Sequence, residues 1–208
     1  MVEKEKGGKG FLDNRVMAGC MNRGGLKGAA FEMDDRFTSF TVASLHRMRF
    51  DGAKLMFRLT TDGEEDCGRT IAYCAEAISG LNQSGITVFL ECLPVGNRAD
   101  NYKTMKEAED LIRVIGVATA LGDSSRNIWL KIPYCEGFDM VALATTCPIL
   151  ILGGEATGDP GPLLQEFISG MAAGQNVRGA LVGRNILFPG NDDPRAVAAA
   201  VNGIIHKG

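Results

Sequence analysis

Six short apolar runs alternate with helical patterns along this chain, and that alternation limits its folding more than any other feature. The runs are Val16 to Cys20, Ala53 to Leu59, Ile86 to Leu93, Ile128 to Tyr134, Pro148 to Leu152 and Gly179 to Val182. They read as buried strands, because a strand covered on both faces has no polar side to alternate with. Between them lie helical patterns at Glu64 to Gln83, Tyr102 to Leu121, Gly161 to Ala173 and Pro194 to Ile205. A shorter one lies near Phe138 to Ala144, and Thr41 to Met48 contains another. Strict strand-helix alternation implies parallel β-α units. Many of the 27 glycines fall just after the apolar runs, where strand gives way to loop. The last helix is well marked: Asp193 can accept from the free first-turn N–H groups, and Pro194 stands where a missing donor costs nothing.

Charge and composition narrow the function. Lys and Arg number 22 against 25 Asp and Glu, a net charge of −3, so nothing draws the chain to nucleic acid or an anionic membrane. With 45% apolar and 23% charged residues, the 208 residues suit a packed globule, expected as a single domain over 1–208. No apolar run approaches the roughly 20 residues of a spanning helix. The start, Met1 to Lys6, lacks the apolar stretch of a signal peptide, so a cytoplasmic protein is expected. The six cysteines form no Cys-x-x-Cys pair and suit buried thiols in a reducing compartment. His46 and His206 are isolated from other potential ligands, so neither a metal nor a cofactor is expected.

Parallel β-α units fit an open doubly wound sheet or most of a (β/α)8 TIM barrel. A complete barrel typically needs about 250 residues. The basic, Gly-rich start Lys6-Gly7-Gly8-Lys9-Gly10 reads as a connecting loop, which favours a barrel of about six parallel β-α units lacking its first two. Open barrel edges favour self-association, so a homo-oligomer is expected.

The string Asn127-Ile128-Trp129-Leu130-Lys131-Ile132-Pro133-Tyr134 carries the chemistry. On a strand, Ile128, Leu130 and Ile132 share one face and Trp129, Lys131 and Pro133 the other. With the aliphatic face under the helices, Lys131 points into the barrel near the C-terminal end, where such barrels place their active sites. Burial penalises an ammonium ion, and the neutral amine so favoured can attack a carbonyl to form a Schiff base. The plain alternative is a lysine that reaches solvent or pairs with a carboxylate. Glu91 is the only charge in the apolar strand Thr87 to Cys92. It could carry protons for carbon–carbon cleavage, or simply pair with Lys54 or Arg58. Lys54, Met56 and Arg58 share a face of their own strand, so one lumen could hold Lys54, Arg58, Glu91 and Lys131.

Two later strands end in glycine, at Leu152-Gly153-Gly154 and Val182-Gly183-Arg184. Bare backbone N–H groups there can approach a phosphate, and Arg184 can donate a forked pair of hydrogen bonds. Barrels frequently bind phosphate at these final loops. By contrast, Glu32, Asp34, Asp35 and Arg36 read as a solvated charge run, and Asn22-Arg23-Gly24-Gly25 as a turn that could also touch substrate. Tyr134 either hydrogen-bonds a substrate or closes its strand.

These strings resemble those of the class I, Schiff-base-forming barrel aldolases. Trp129 to Tyr134 looks like the strand bearing their imine-forming lysine, and Leu181 to Ile186 like their phosphate-gripping last strand. Gly153-Gly154 and the Asp193-Pro194 helix follow the same order. Phe89-Leu90-Glu91 is similar to the strand with the acid/base glutamate of fructose-bisphosphate aldolases, and Ala53 to Arg58 to their lysine- and arginine-bearing strand. With Met21 to Gly25 and Glu32 to Thr38 included, the likeness extends to bacterial aldolase-like barrels associated with inositol catabolism. That resemblance implies cleavage of 6-phospho-5-dehydro-2-deoxygluconate into dihydroxyacetone phosphate and malonate semialdehyde. It also implies two further N-terminal β-α units and a catalytic aspartate at the end of the first strand, to which no segment here corresponds. The expected site is therefore catalytic Lys131, Glu91 and Lys54, with Arg58, Gly153, Gly154, Gly183 and Arg184 holding a phosphorylated sugar or sugar acid. A catalytically silent phosphosugar-binding barrel and a phosphosugar isomerase or epimerase stand as alternatives.

Overall fold

In the computed structural model, residues 12, 14–23, 33–60, 67–98 and 101–206 are described. The elements are β1 (Ala18–Cys20), α1 (Val42–Arg47), β2 (Gly52–Thr60), α2 (Gly68–Gln83), β3 (Thr87–Arg98), β4 (Asn101–Thr104) and α3 (Ala108–Ala118). There follow β5 (Ile128–Ile132), α4 (Phe138–Leu143), β6 (Ile149–Leu152), α5 (Gly161–Ala172), β7 (Val177–Leu181), α6 (Arg184–Leu187) and α7 (Pro194–Ile205). Six strands run parallel in the order β1-β2-β3-β5-β6-β7, and β4 pairs antiparallel with β3. This is an α/β half-barrel, an incomplete TIM barrel of six parallel strands, as the alternation of runs predicts.

The apolar pattern decides which face each strand turns to the helices. Ile128, Leu130 and Ile132 of β5 are buried, while Trp129 and Lys131 between them are only partly covered. Ala53, Leu55 and Phe57 of β2 and Val88, Leu90 and Cys92 of β3 are buried likewise, and join one core with Ile78 and Leu81 of α2 and Leu111 and Ile115 of α3. Each such large side chain contributes about 1.5–3 kcal/mol by leaving water. The core thus lies between sheet and helices, which leaves the other sheet face to line a lumen. Local signals fix the helix ends. Asp193 accepts from Arg195 N at 3.0 Å with Pro194 in the first turn of α7, and Thr41 and Ser44 form a reciprocal capping box on α1.

The structure departs from the sequence reading in two places, and a third expectation is not covered by it. The Tyr102 end of the expected Tyr102–Leu121 helix is instead the strand β4, hydrogen-bonded to an extension of β3 that runs past Pro94 and Gly96 to Arg98. Proline and glycine inside an apolar run argue against strand, and here antiparallel pairing with β4 overrides that local signal. Gly183 leads into a short helix, α6, that the strand pattern does not announce. The expected start of the second helix at Glu64 lies outside the described residues, within which α2 begins at Gly68.

Candidate active site

Parallel register brings the charged groups together. Glu91 lies opposite Lys131 on β5 and Met56 on β2, while Lys54 lies opposite Phe89, one pleat lower. Two residues along a strand span about 6.6 Å, a distance a lysine stem covers. Lys131 Nζ donates to Glu91 Oε1 at 2.7 Å, and Lys54 Nζ meets Glu91 Oε2 at 2.6 Å. One carboxylate thus bridges two lysine side chains: the pairing with Lys54 is present, and Lys131 is a second partner. Burial by itself would raise the Glu91 carboxyl, but the charges and hydrogen bonds of Lys54 and Lys131 outweigh it and hold the group below its ordinary value. The side chains of Lys131 and Lys54 are 19% and 23% exposed, so neither amine stands out in bulk solvent. One layer below, Phe89 and Trp129 meet edge to face at 6.4 Å between ring centroids.

Two cavities adjoin this triad. The larger, about 820 Å³, is lined by Glu91, Gly153, Gly154 and Arg184, with Tyr102 and Lys103 of β4 as part of its outer wall. The smaller, about 350 Å³, is lined by Lys54, Lys131 and Gly183, with Val16 and Leu181 where the lumen wall opens between β1 and β7. Glu91 connects the two through its ion pairs. Tyr134 lines the larger cavity and packs on Phe138 at 5.4 Å.

The two glycines after β6 play different parts. The Gly153 N–H is committed to Leu181 O at 3.1 Å, and a Cβ there would meet Val182 Cγ2 at 2.6 Å, so Gly153 serves strand packing rather than donation. Gly154 has φ +63° and open space where a Cβ would project. Among the described residues the N–H groups of Gly154 and Gly183 have no partner, and the exposed Arg184 guanidinium has no carboxylate within ion-pair distance.

Arg58 shares the lumen-facing side of β2 but lines neither cavity. Only 1% exposed, it donates through Nε to both oxygens of Asp35 at 3.0 and 3.1 Å and through Nη2 to Oδ1 at 2.6 Å, and Arg23 adds a bond of 2.9 Å. The expected solvated charge run is thereby corrected at Asp35, which is fully buried. A guanidinium inside a protein requires a counter-ion, and the segment after β1 supplies it. Asn22, also buried, locks the same segment to β2 by donating to Met56 O at 2.6 Å and accepting from Met56 N at 2.8 Å. Glu32, Gly24 and Gly25 lie outside the described residues. The sequence reading missed Asp35 and Asn185 as buried polar anchors. For Asn185 the available signal was position, just past β7 where buried backbone carbonyls need partners, whereas no local signal sets Asp35 apart from its charged neighbours. Among the described residues, no group of three or more His, Cys, Asp or Glu is placed to hold a metal ion.

Residues 9–204 match the Cgl0159-like family. The chain belongs to that family. The crystal structure of Cgl0159 from Corynebacterium glutamicum (Brevibacterium flavum) superposes with a TM-score of 0.86 at 30% identity, covering 94% of this chain and 65% of that one. This member of the Cgl0159-like family thus spans about two thirds of the length of its corynebacterial relative. An archaeal fructose 1,6-bisphosphate aldolase superposes with a TM-score of 0.71 at 16% identity over 91% of this chain and 70% of that one. A Schiff base forming fructose-1,6-bisphosphate aldolase gives 0.70 at 17% over 90% and 70%. At such identities the aldolase likeness is one of fold. No curated protein sequence matches the chain. No helix among the described residues is long and apolar enough to cross a membrane.

Proposed function

We propose that this chain carries the active site of a class I aldolase acting on a phosphorylated keto sugar or sugar acid. The observation that supports it most is the Glu91 carboxylate bridging Lys54 and Lys131 at 2.6 and 2.7 Å beside a cavity bearing Gly154 and Arg184. In this reading Lys131, as the neutral amine, adds to the substrate ketone. The carbinolamine hydroxyl takes up the proton that Lys131 gave to solvent on becoming neutral and leaves as water, and the resulting iminium accepts the electron pair of the breaking carbon–carbon bond. Glu91, held ionised, accepts the proton of the β-hydroxyl as that bond breaks, then returns a proton to the enamine carbon. Lys54 keeps the carboxylate in place as Lys131 changes partner. Arg184 with the Gly154 and Gly183 backbone holds the phosphate, so remote binding energy positions the ketone, while Gly153 shapes the surrounding wall and Arg58, committed to Asp35, supports β2 from outside the cavities. The substrate that the resemblance implies is 6-phospho-5-dehydro-2-deoxygluconate.

Borohydride reduction in the presence of dihydroxyacetone phosphate, followed by peptide mass spectrometry, tests this. The expected result is an adduct on Lys131 that disappears in Lys131→Met. An adduct of unchanged yield in that variant excludes the assignment. A second reading, a phosphosugar-binding protein without turnover, is favoured by one observation: Val16 and Leu181 are 71% and 40% exposed where the cavity at Lys131 opens between β1 and β7. Water admitted there works against the desolvation the amine requires. Phosphate binding without any trapped imine is the result that reading expects.

A further inference from the structure

We infer that Asn185 is the positioning residue that sets the anion-binding backbone after β6, an assignment that rests on the phosphate-holding part of the reading above. Asn185 is 4% exposed, and its Nδ2 donates to Gly153 O at 2.6 Å and to Glu155 O at 3.1 Å. Both carboxamide hydrogens are thus used on one loop. Two carbonyl oxygens converge there, so only the nitrogen end of the amide satisfies them. The geometric consequence follows from the planar trans peptide, in which C=O and N–H point in opposite directions. Fixing the Gly153 carbonyl on Asn185 Nδ2 fixes the Gly154 N–H of the same peptide in the opposite direction, on a loop whose Gly153 and Gly154 line the larger cavity together with Asn185. Gly154 at φ +63°, with nothing within 4 Å of a Cβ position, leaves that donor uncovered.

A second contact holds the far end of the loop. Gly190, at φ +74°, lies so close to Gly158, at φ +84°, that a Cβ on Gly190 would overlap the Gly158 carbonyl oxygen. Asn185 and Gly190 both belong to the stretch that follows β7. The segment after β7 that bears Arg184 therefore also carries the supports of the neighbouring loop, and places guanidinium and Gly154 backbone in one fixed relation. A side chain whose only task was to fill space would need no donor pair here.

The test uses the full chain with three variants. Asn185→Asp has the same shape but presents acceptors to two carbonyl oxygens. Asn185→Ser keeps one donor, and Gly190→Ala disturbs only the second support. Inorganic phosphate affinity is measured by titration calorimetry. Borohydride trapping at Lys131 is compared for dihydroxyacetone phosphate and unphosphorylated dihydroxyacetone. Asn185→Asp is expected to weaken phosphate binding by about tenfold or more, the loss of two directed hydrogen bonds. Half-saturation for dihydroxyacetone phosphate should rise in step, with the concentration dependence for dihydroxyacetone changed by less than about twofold, and Asn185→Ser should fall between. If Asn185→Asp does not fold, Asn185→Ser and Gly190→Ala carry the comparison. Phosphate affinity unchanged in folded variants, equal losses for the two ketones, or no phosphate binding by the parent protein would each overturn the assignment. Phosphate binding without a Lys131 adduct from either ketone sinks the aldolase reading and leaves Asn185 its role.

Discussion

Removing the carboxylate of Asp35 should destabilise the protein far more than an ordinary loop substitution. Asp35 accepts three bonds from Arg58, between 2.6 and 3.1 Å, and one from Arg23 at 2.9 Å, with no exposure of its own. In Asp35→Ala the Arg58 guanidinium, 1% exposed, keeps its charge and loses the Asp35 carboxylate. Breaking a buried pair from one side costs about 3–5 kcal/mol, against a total stability of roughly 5–15 kcal/mol. With an m-value near 2 kcal/mol/M, the urea midpoint followed by far-ultraviolet circular dichroism should fall by about 1.5–2.5 M. Replacing both partners, as Asp35→Leu with Arg58→Met, removes the desolvation cost together with the attraction and should restore most of that loss. A cost below about 1 kcal/mol for Asp35→Ala, or a double variant weaker than the single one, refutes the view that a buried charge anchors the 33–38 segment to β2.

Other outcomes follow from the same geometry. Because the Glu91 carboxyl is held below its ordinary value, its contribution to stability is complete above about pH 4.5 and is lost as pH falls through the lowered value in the folded state. Glu91→Gln should therefore flatten the acid side of a denaturation profile, and an unchanged acid slope counts against the bridge. Burial pushes the Cys74 thiol up to about 12 and raises Cys92 well above its usual range, while Cys20 is exposed. A disulfide reagent should titrate one thiol rapidly in the native protein and six after denaturation, and rapid loss of several would disprove the packing. Lys103 and Lys106 are exposed on the wall of the larger cavity. Charge reversal of both should raise KM for an anionic substrate several-fold, more at low salt, with kcat and the unfolding midpoint little changed. An effect insensitive to salt would argue against the electrostatic account.

The lumen was largely legible in the sequence because its signals are short-range. Alternation along Ile128 to Pro133 says which side of β5 faces the helices, and one charge in an apolar strand, Glu91, says that a partner must be near. What alternation cannot supply is the height at which neighbouring strands meet. That Lys54 reaches Glu91 from one pleat below, while Arg58 four residues on turns to Asp35, depends on register and on the path of the segment after β1. Asp35 was misread for that reason: its neighbour Arg36 is exposed and Asp34 partly so, and only the location of a buried guanidinium distinguishes it. The β3–β4 hairpin was hidden similarly, since its stabilising bonds join residues whose local sequence favours neither partner. Gly153 and Gly154 look equivalent as letters. They separate only once one N–H is seen to be used by Leu181.

The chain contains a single tryptophan, and Trp129 occupies the layer beneath the Glu91–Lys131 pair, against Phe89. Its indole emission therefore reports from one known depth with no background from elsewhere. Filling or wetting of the space above it can be read as a change in intensity and wavelength, without a label and without chemistry taking place.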